Sequence, residues 1–377
     1  MNGKLGFGCM RLPVLNGNAN EVDIAEFSRM ADAFLEAGFT YFETSAAYHG
    51  GFSEQAVREA VVKRHLRNSF TVATKFPTFF FNGSEEHEKV VSTFEKQLEN
   101  CGVDYFDYYL LHNLNGFNYD KVVTPLGLFE YVKEQKDAGR IRHIGFSLHD
   151  SAEELDRILT EHPEVEFVQI ALNYFDWSSY WIQSKACYDV IRKHGKQVVV
   201  MEPVKGGMLA TVPKETEEKM KAVQPELSVA SWALRFAAGL DGVLAVLSGM
   251  STMEQVEDNC SYMRDFVPMT GKELELTQEA AKAYRVSGPL KMWDFSKYQK
   301  VSQENLPLAA LLDCWTNMAV QPNPYFGAEG NYYSLARARA GVKENKSWVN
   351  GPVFTEDGED VTELAKQAEE YVKEHAF

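Results

Sequence analysis

A chain of 377 residues, 45% hydrophobic and 24% charged, has ample length for a packed core and exceeds one β/α barrel of about 250 residues. Its formal net charge of −16 speaks against a nucleic-acid partner, because non-specific binding needs a cationic face. No apolar run approaches the roughly 20 residues that span a bilayer, MNGKLGFG lacks a signal core, and five scattered cysteines (Cys9, Cys101, Cys187, Cys260, Cys314) fit reduced thiols in a cytoplasmic protein without a membrane partner.

Strand-like runs recur at 40–44, 71–75, 106–111, 142–147, 167–172, 197–202 and 243–248. Most are followed by an amphipathic helical stretch, the alternation that builds a parallel sheet. In HEKVVSTFEKQLENCG, Val90, Phe94 and Leu98 share one face and Gly102 is a stop. SVASWALRF, ahead of the last run, reads as helix. From about residue 266 the rhythm ceases. LELTQEAAKAYR and VTELAKQAEEYVKEHAF read as helices, the second with Val361, Leu364, Ala365, Ala368, Tyr371 and Val372 on one face. QPNPYFGAEGNYY between them reads as an ordered loop because of its aromatics. The fold expected is α/β: a (β/α)8 TIM barrel over 1–265 with a mainly helical C-terminal extension over 266–377.

Four polar residues stand on or just past the C-terminal ends of predicted strands. Glu43 and Tyr48 lie in TYFETSAAYHGG, Lys75 in TVATKF, and His112 ends YFDYYLLH. Loops at the C-terminal ends of barrel strands converge on one mouth, where catalysis takes place. A tyrosine near pKa 10 is a poor acid at neutral pH. A lysine cation held by a carboxylate eases formation of the phenolate, and a histidine can orient or polarise a carbonyl. The set reads as a general-acid relay for hydride transfer. His112, His143 and His149 have no recognised ligand spacing, so no metal is assigned.

These stretches resemble the aldo-keto reductases, whose signature is Asp-Thr-Ala followed by Tyr-x-Gly, then Thr-Lys, then Leu-x-His. FETSAAYHGGFSE, VATKFP and YYLLHNL match it, and KLGFGCMRLP, GRIRHIGFSLHD, FVQIALNYFDW, VVVMEPVKGGMLA, SWALRF and VLAVLSGMSTMEQVEDN extend the match. The wording is most similar to a branch that usually carries a C-terminal ferredoxin-like extension. The resemblance implies a plugging hairpin at Gly6-Phe7-Gly8 and a short strand hidden near SVASWALRF. It also implies a nicotinamide dinucleotide, NADP with NAD possible, held without a Rossmann G-x-G-x-x-G. Ser147 and Gln169 would hold the carboxamide. Pro203, Lys205, Gly206 and Gly207 would lie near the pyrophosphate. Ser248, Gly249, Met250, Ser251, Gln255, Asp258 and Asn259 would surround the adenosine end, and Met10, Arg11 and Met201 complete the expected cofactor contacts.

Four departures from the family pattern matter. Glu43 replaces an aspartate. Met201 stands where an aromatic residue commonly stacks on the nicotinamide. Gln255 replaces an arginine beside the 2′-phosphate, and Leu148 replaces an asparagine by the carboxamide. Beyond residue 265 only Cys314 remains, against the four thiolates of an iron–sulfur centre, so no such cluster is expected. The leading reading is an oxidoreductase acting on a small carbonyl or alcohol. The alternative is a non-catalytic, cofactor-binding module for redox sensing or assembly.

Overall fold

A computed structural model describes residues 3–321 and 347–374; the stretch expected to be an ordered aromatic loop falls almost wholly outside them. The strands are β1 Leu5–Gly8, β2 Tyr41–Glu43, β3 Thr71–Phe76, β4 Phe106–Leu114, β5 Ile141–Leu148, β6 Phe167–Ala171, β7 Gln197–Met201 and β8 Val243–Ser248. All pair in parallel with their neighbours in sequence order, and β1 pairs with β8 to close the barrel. Tyr41, Ala73, Leu110, Phe167, Val199, Ala245 and Leu247 form one buried cluster contributed by successive strands, so the barrel is a packed core.

Two expectations are corrected here. Gly6-Phe7-Gly8 is not a plug: it is the first barrel strand, in register with Tyr41–Glu43 on one side and Val246–Ser248 on the other. A Cβ at Gly6 would lie 2.7 Å from Leu247 Cδ2 and 3.3 Å from Tyr41 Cδ1, so glycine is what lets the neighbouring side chains close over this strand. No strand is hidden near SVASWALRF, which is helix over Val229–Ala238 with Ser231 to Ala238 all buried. A helix apolar all round is a buried one, and β1 already supplies the eighth strand.

The outer layer follows the apolar periodicity. α1 (Ile24–Glu36) is capped by the Asp23 side chain, which accepts from Glu26 N, and buries Phe27, Met30, Ala31 and Phe34. Phe7 of β1 packs on Phe27 and Phe34 at 5.4 and 5.5 Å between ring centroids, and each such ring stabilises by about 1.5–3 kcal/mol through burial. α2 (Ser53–Val57) follows β2 and runs on through a π-turn over Arg58–Val62. α3 (His87–Cys101) buries Val90, Phe94 and Leu98 and ends where Gly102 turns left-handed at φ 69°.

The chain divides into two compact units. The first comprises Met1–Asn173, Ala186–Val204 and Ser231–Met269 and contains all eight strands. The second joins Thr270–Phe377 to Tyr174–Lys185 and Lys205–Ala230, the segments that follow β6 and β7. Its described helices include Lys214–Val223, Gly271–Ser287, Leu308–Ala319 and Thr362–Glu374, and its core includes Phe295, Tyr298, Leu308, Leu312, Trp348 and Val372. Among the described residues no helix is long and apolar enough to cross a membrane.

Candidate active site

β2 ends on Glu43, and the chain turns at Tyr48–Gly51 before α2. Lys75 is the penultimate residue of β3, and His112 lies near the end of β4. Parallel pairing of β2 with β3 and of β3 with β4 brings all four to the same end of the barrel. Lys75 Nζ is ion-paired with Glu43 Oε1. It also donates to Thr44 O at 3.0 Å and to Tyr48 OH at 2.9 Å, which uses all three ammonium hydrogens. Lys75 is fully buried and Glu43 2% exposed. The His112 ring stands edge-on to the Tyr48 ring, 6.1 Å between centroids.

Burial pulls the Lys75 ammonium well below the usual lysine range, and the Glu43 carboxylate and Thr44 carbonyl are the partners that hold its charge. Burial likewise pushes the Tyr48 phenol well above the tyrosine range, with Cys9 and Glu202 adding to it. His112 is driven well below the ordinary histidine range, first by burial and then by Lys75 and His149. The imidazole is therefore neutral at pH 7. A neutral phenol bonded to a buried cation and flanked by a neutral imidazole can protonate a carbonyl oxygen and stabilise the phenolate left behind.

Sequence reasoning missed the residues that support this set. Ser45 Oγ lies 3.1 Å from His112 Nδ1 and accepts from Ala47 N at 3.2 Å. Thr78 Oγ1 donates to His112 O at 2.6 Å. His49, at φ 51°, accepts from Leu12 N at 3.1 Å through Nε2 and so ties the Tyr48 turn to the segment after β1. Only the run of hydroxyls after Glu43 hinted at these contacts.

The expected cofactor residues fall into three groups. Ser147 and Gln169 sit side by side on β5 and β6. Ser147 Oγ accepts from Asn113 N at 2.8 Å, and Gln169 Nε2 lies 3.7 Å from Met201 Sδ at the end of β7. Gln169 Oε1 is buried without a donor among the described residues. The second group gathers after β8 and β1. Ser248 Oγ accepts from Asn259 Nδ2 at 2.9 Å, and Ser251 Oγ donates to Arg11 O at 2.7 Å. A Cβ at Gly249 would touch the Arg11 side chain at 3.4 Å. The helix Met253–Met263 begins here, capped by Thr252, and carries Asp258. Gln255 Oε1 accepts from Ser251 N at 2.7 Å, so its amide is turned back on its own loop. Met250 is buried and Met10 44% exposed. Pro203 is buried after β7. Lys205, Gly206 and Gly207 belong to the second unit; there the Lys205 ammonium is fully buried and bonded to both Asp176 oxygens at 2.9 and 2.7 Å, which matches its charge within that unit.

A closed eightfold parallel barrel with tyrosine, lysine, carboxylate and histidine at one end defines a class of barrel oxidoreductases. A sequence model of the Aldo/keto reductase family matches residues 4–282, nearly three-quarters of the chain, and the protein belongs to that family. Among similar proteins is an uncharacterized oxidoreductase, YqkF, of Bacillus subtilis, 23% identical over 283 residues, covering 68% of this chain and 85% of the relative. An aldo-keto reductase of Mycolicibacterium vanbaalenii is 28% identical over 251 residues, covering 66% and 81%. Of solved structures, the holo form of aldo-keto reductase AKR11C1 from Bacillus halodurans superposes with a TM-score of 0.57 at 26% identity, covering 74% of this chain and 92% of that one. An aldo/keto reductase from Klebsiella pneumoniae in complex with NADP and acetate shares the fold at a TM-score of 0.58 and 18% identity, covering 74% and 91%.

Proposed function

We propose that this oxidoreductase transfers a hydride between a nicotinamide dinucleotide and a small carbonyl or alcohol, with Tyr48 giving or taking the proton. The observation that carries the proposal is the unbroken chain from the buried Glu43 through the buried Lys75 to the hydroxyl of the half-buried Tyr48. The nicotinamide end fits Ser147 and Gln169, because a carboxamide N–H supplies the donor that Gln169 Oε1 lacks. Met201 offers a polarisable thioether beside it. The adenosine end fits the loop Ser248–Ser251, the Thr252-capped helix N-terminus and Arg11, since a helix N-terminus and a guanidinium both favour phosphate. The family resemblance favours NADP over NAD.

When bound, the cofactor supplies or accepts the hydride at the carbonyl carbon. In the reducing direction the Tyr48 O–H bond breaks and its proton passes to the substrate oxygen as the C=O π bond gives way. Lys75 stabilises the phenolate that results, and Glu43 keeps Lys75 charged and in place. A Ser45 hydroxyl that donates to His112 Nδ1 leaves Nε2–H to orient the carbonyl oxygen. In the oxidising direction Tyr48 starts as the phenolate and takes the alcohol proton.

The test is NAD(P)H oxidation over a panel of aldehydes, ketones and sugars, with Tyr48→Phe as the comparison. Loss of the phenolic proton should lower kcat by about 10²–10⁴-fold while cofactor affinity, read by intrinsic fluorescence, stays within a few-fold. Full activity of Tyr48→Phe would remove Tyr48 from the mechanism.

A further inference from the structure

Behind the relay, on the far side of β3 from the Tyr48 hydroxyl, lies a carboxylate that the proposed chemistry does not use. Glu54, in the first turn of α2, is fully buried, and among the described residues no cation is one of its hydrogen-bond donors. Its Oε1 accepts from Thr74 Oγ1 and from Gln97 Nε2, both at 2.7 Å, and its Oε2 accepts from Asn100 Nδ2 at 3.2 Å. The second Gln97 amide hydrogen goes to Lys75 O at 2.9 Å, and Gln97 Oε1 accepts from Tyr109 OH at 2.5 Å. Each Gln97 amide group thus has a fixed orientation, because its two acceptor partners demand the NH2 and its hydroxyl partner demands the oxygen.

The preceding residue acts on the neighbouring strands. Ser53, also fully buried, accepts from Thr44 Oγ1 at 2.8 Å and donates to Cys9 O at 3.1 Å. Thr44 is the residue whose carbonyl holds the Lys75 ammonium at 3.0 Å. Two adjacent side chains at the start of one short helix therefore bracket the ends of β1, β2 and β3.

We infer that Ser53 and Glu54 are positioning residues that set the Lys75 ammonium against the Tyr48 hydroxyl, Glu54 through Gln97 to the Lys75 backbone and Ser53 through Thr44. The inference rests on the Tyr48 reading above and deepens it. A purely stabilising role leaves one thing unexplained. Burial raises the Glu54 carboxyl pKa against the opposing bonds from Gln97, Thr74 and Asn100, so an apolar residue of similar volume would pack there without that cost. A carboxylate kept at such a place supplies direction, because its two oxygens accept from Thr74, Gln97 and Asn100 together.

The test measures alcohol oxidation against pH in the full-length protein with cofactor present, for wild type, Glu54→Met, Glu54→Gln and Gln97→Met, each normalised to folded protein. The rate rises with pH as Tyr48 becomes the phenolate. Around that hydroxyl stand Lys75, Glu43, His112, Cys9 and Glu202, and Lys75 is the cation that favours the phenolate. Displacing Lys75 should therefore move the alkaline limb to higher pH. Glu54→Met should lower kcat about 10- to 100-fold, the scale of a misplaced catalytic group, with KM nearly unchanged and the limb shifted upward. Glu54→Gln, which keeps an acceptor oxygen, should recover much of both. Gln97→Met, which cuts the link to Lys75 O, should reproduce the limb shift even if Glu54→Met does not fold. A limb that stays at the wild-type pH in Gln97→Met would overturn the inference, and so would one that stays there in a folded Glu54→Met. Activity retained by Tyr48→Phe would instead overturn the underlying reading, and the bracket with it.

Discussion

Lys75 is fully buried, and Glu43 is the carboxylate paired with it. Glu43 is a methylene longer than the aspartate of the family pattern, yet it pairs directly with Lys75 and lies 3.4 Å from Gln169 Nε2. Glu43→Gln removes the counter-charge and should cost about 3–5 kcal/mol of stability, the penalty for an orphaned buried charge, or leave Lys75 deprotonated. Glu43→Asp keeps the charge and should be tolerated better. Chemical denaturation of both variants decides this, and equal losses would refute the pairing argument. The cofactor's 2′-phosphate turns on residues in the same way. Gln255 is committed to Ser251 N and cannot offer the fork of an arginine, whereas Arg11 lies along Gly249. The dissociation constants for NAD and NADP should therefore lie within about 30-fold, roughly 2 kcal/mol, and Arg11→Met should weaken NADP more than NAD. Fluorescence titration would refute the role of Arg11 if both cofactors lost affinity equally. Glu43, Tyr48, Lys75 and His112 were legible because each polar residue closes an apolar strand run. Ser45, Glu54 and Gln97 were not, because their meaning lies in partners 20 to 67 positions away along the chain.

At the scale of elements, the apolar runs for β2 to β8 and the helical face of α3 could be read directly, since burial on one face or both leaves a periodic record. β1 could not. Four residues with two glycines carry almost no side-chain signal, and only the register with β2 and β8 makes them a strand. The connection between α1 and the end of α2 was equally silent. There Arg64 forks onto Asp32 at 2.9 and 2.7 Å, and His65 Nε2 reaches the same carboxylate at 2.9 Å. Hydrogen bonding from Arg64 is the first cause holding the Asp32 carboxyl below its ordinary value of 3.8. A carboxyl depressed in the folded state contributes stability above the unfolded pKa and loses it as pH falls through the folded one. Asp32→Asn should therefore destabilise at pH 7 by about 0.2–1 kcal/mol, the worth of a partly exposed pair after solvent screening. The difference from wild type should shrink as pH falls through the depressed folded-state pKa, below the ordinary 3.8. Urea midpoints across that range test the sign, and a deficit that persisted in acid would refute it.

For the whole molecule, the two units differ in what holds them. The first is a barrel whose closure satisfies its own backbone, while the second gathers three separated segments around a buried ion pair. Arg285 and Asp313, 3% and 0% exposed, are paired directly. Asp313 also accepts from Ser179 Oγ and from Trp181 N at 3.2 Å, and Arg285 donates to Phe175 O at 3.1 Å. The helices Gly271–Ser287 and Leu308–Ala319 are thereby fastened to Tyr174–Lys185 through charge as well as apolar packing. Asp313→Asn leaves the guanidinium buried with its counter-charge gone, at a cost of about 3–5 kcal/mol. Trp177, Trp181, Trp293, Trp315 and Trp348 lie in the second unit and only Trp232 in the first, so tryptophan fluorescence reports mainly on the second. Its urea midpoint should fall by about 1.5–2.5 M for an m-value near 2 kcal/mol/M. Replacing both charges, with Asp313→Leu and Arg285→Met together, should recover part of the loss, because no orphaned charge remains while Trp181 N, Ser179 and Phe175 O still lack their partners. If the double variant were no more stable than Asp313→Asn, the ion pair would not be what secures this unit.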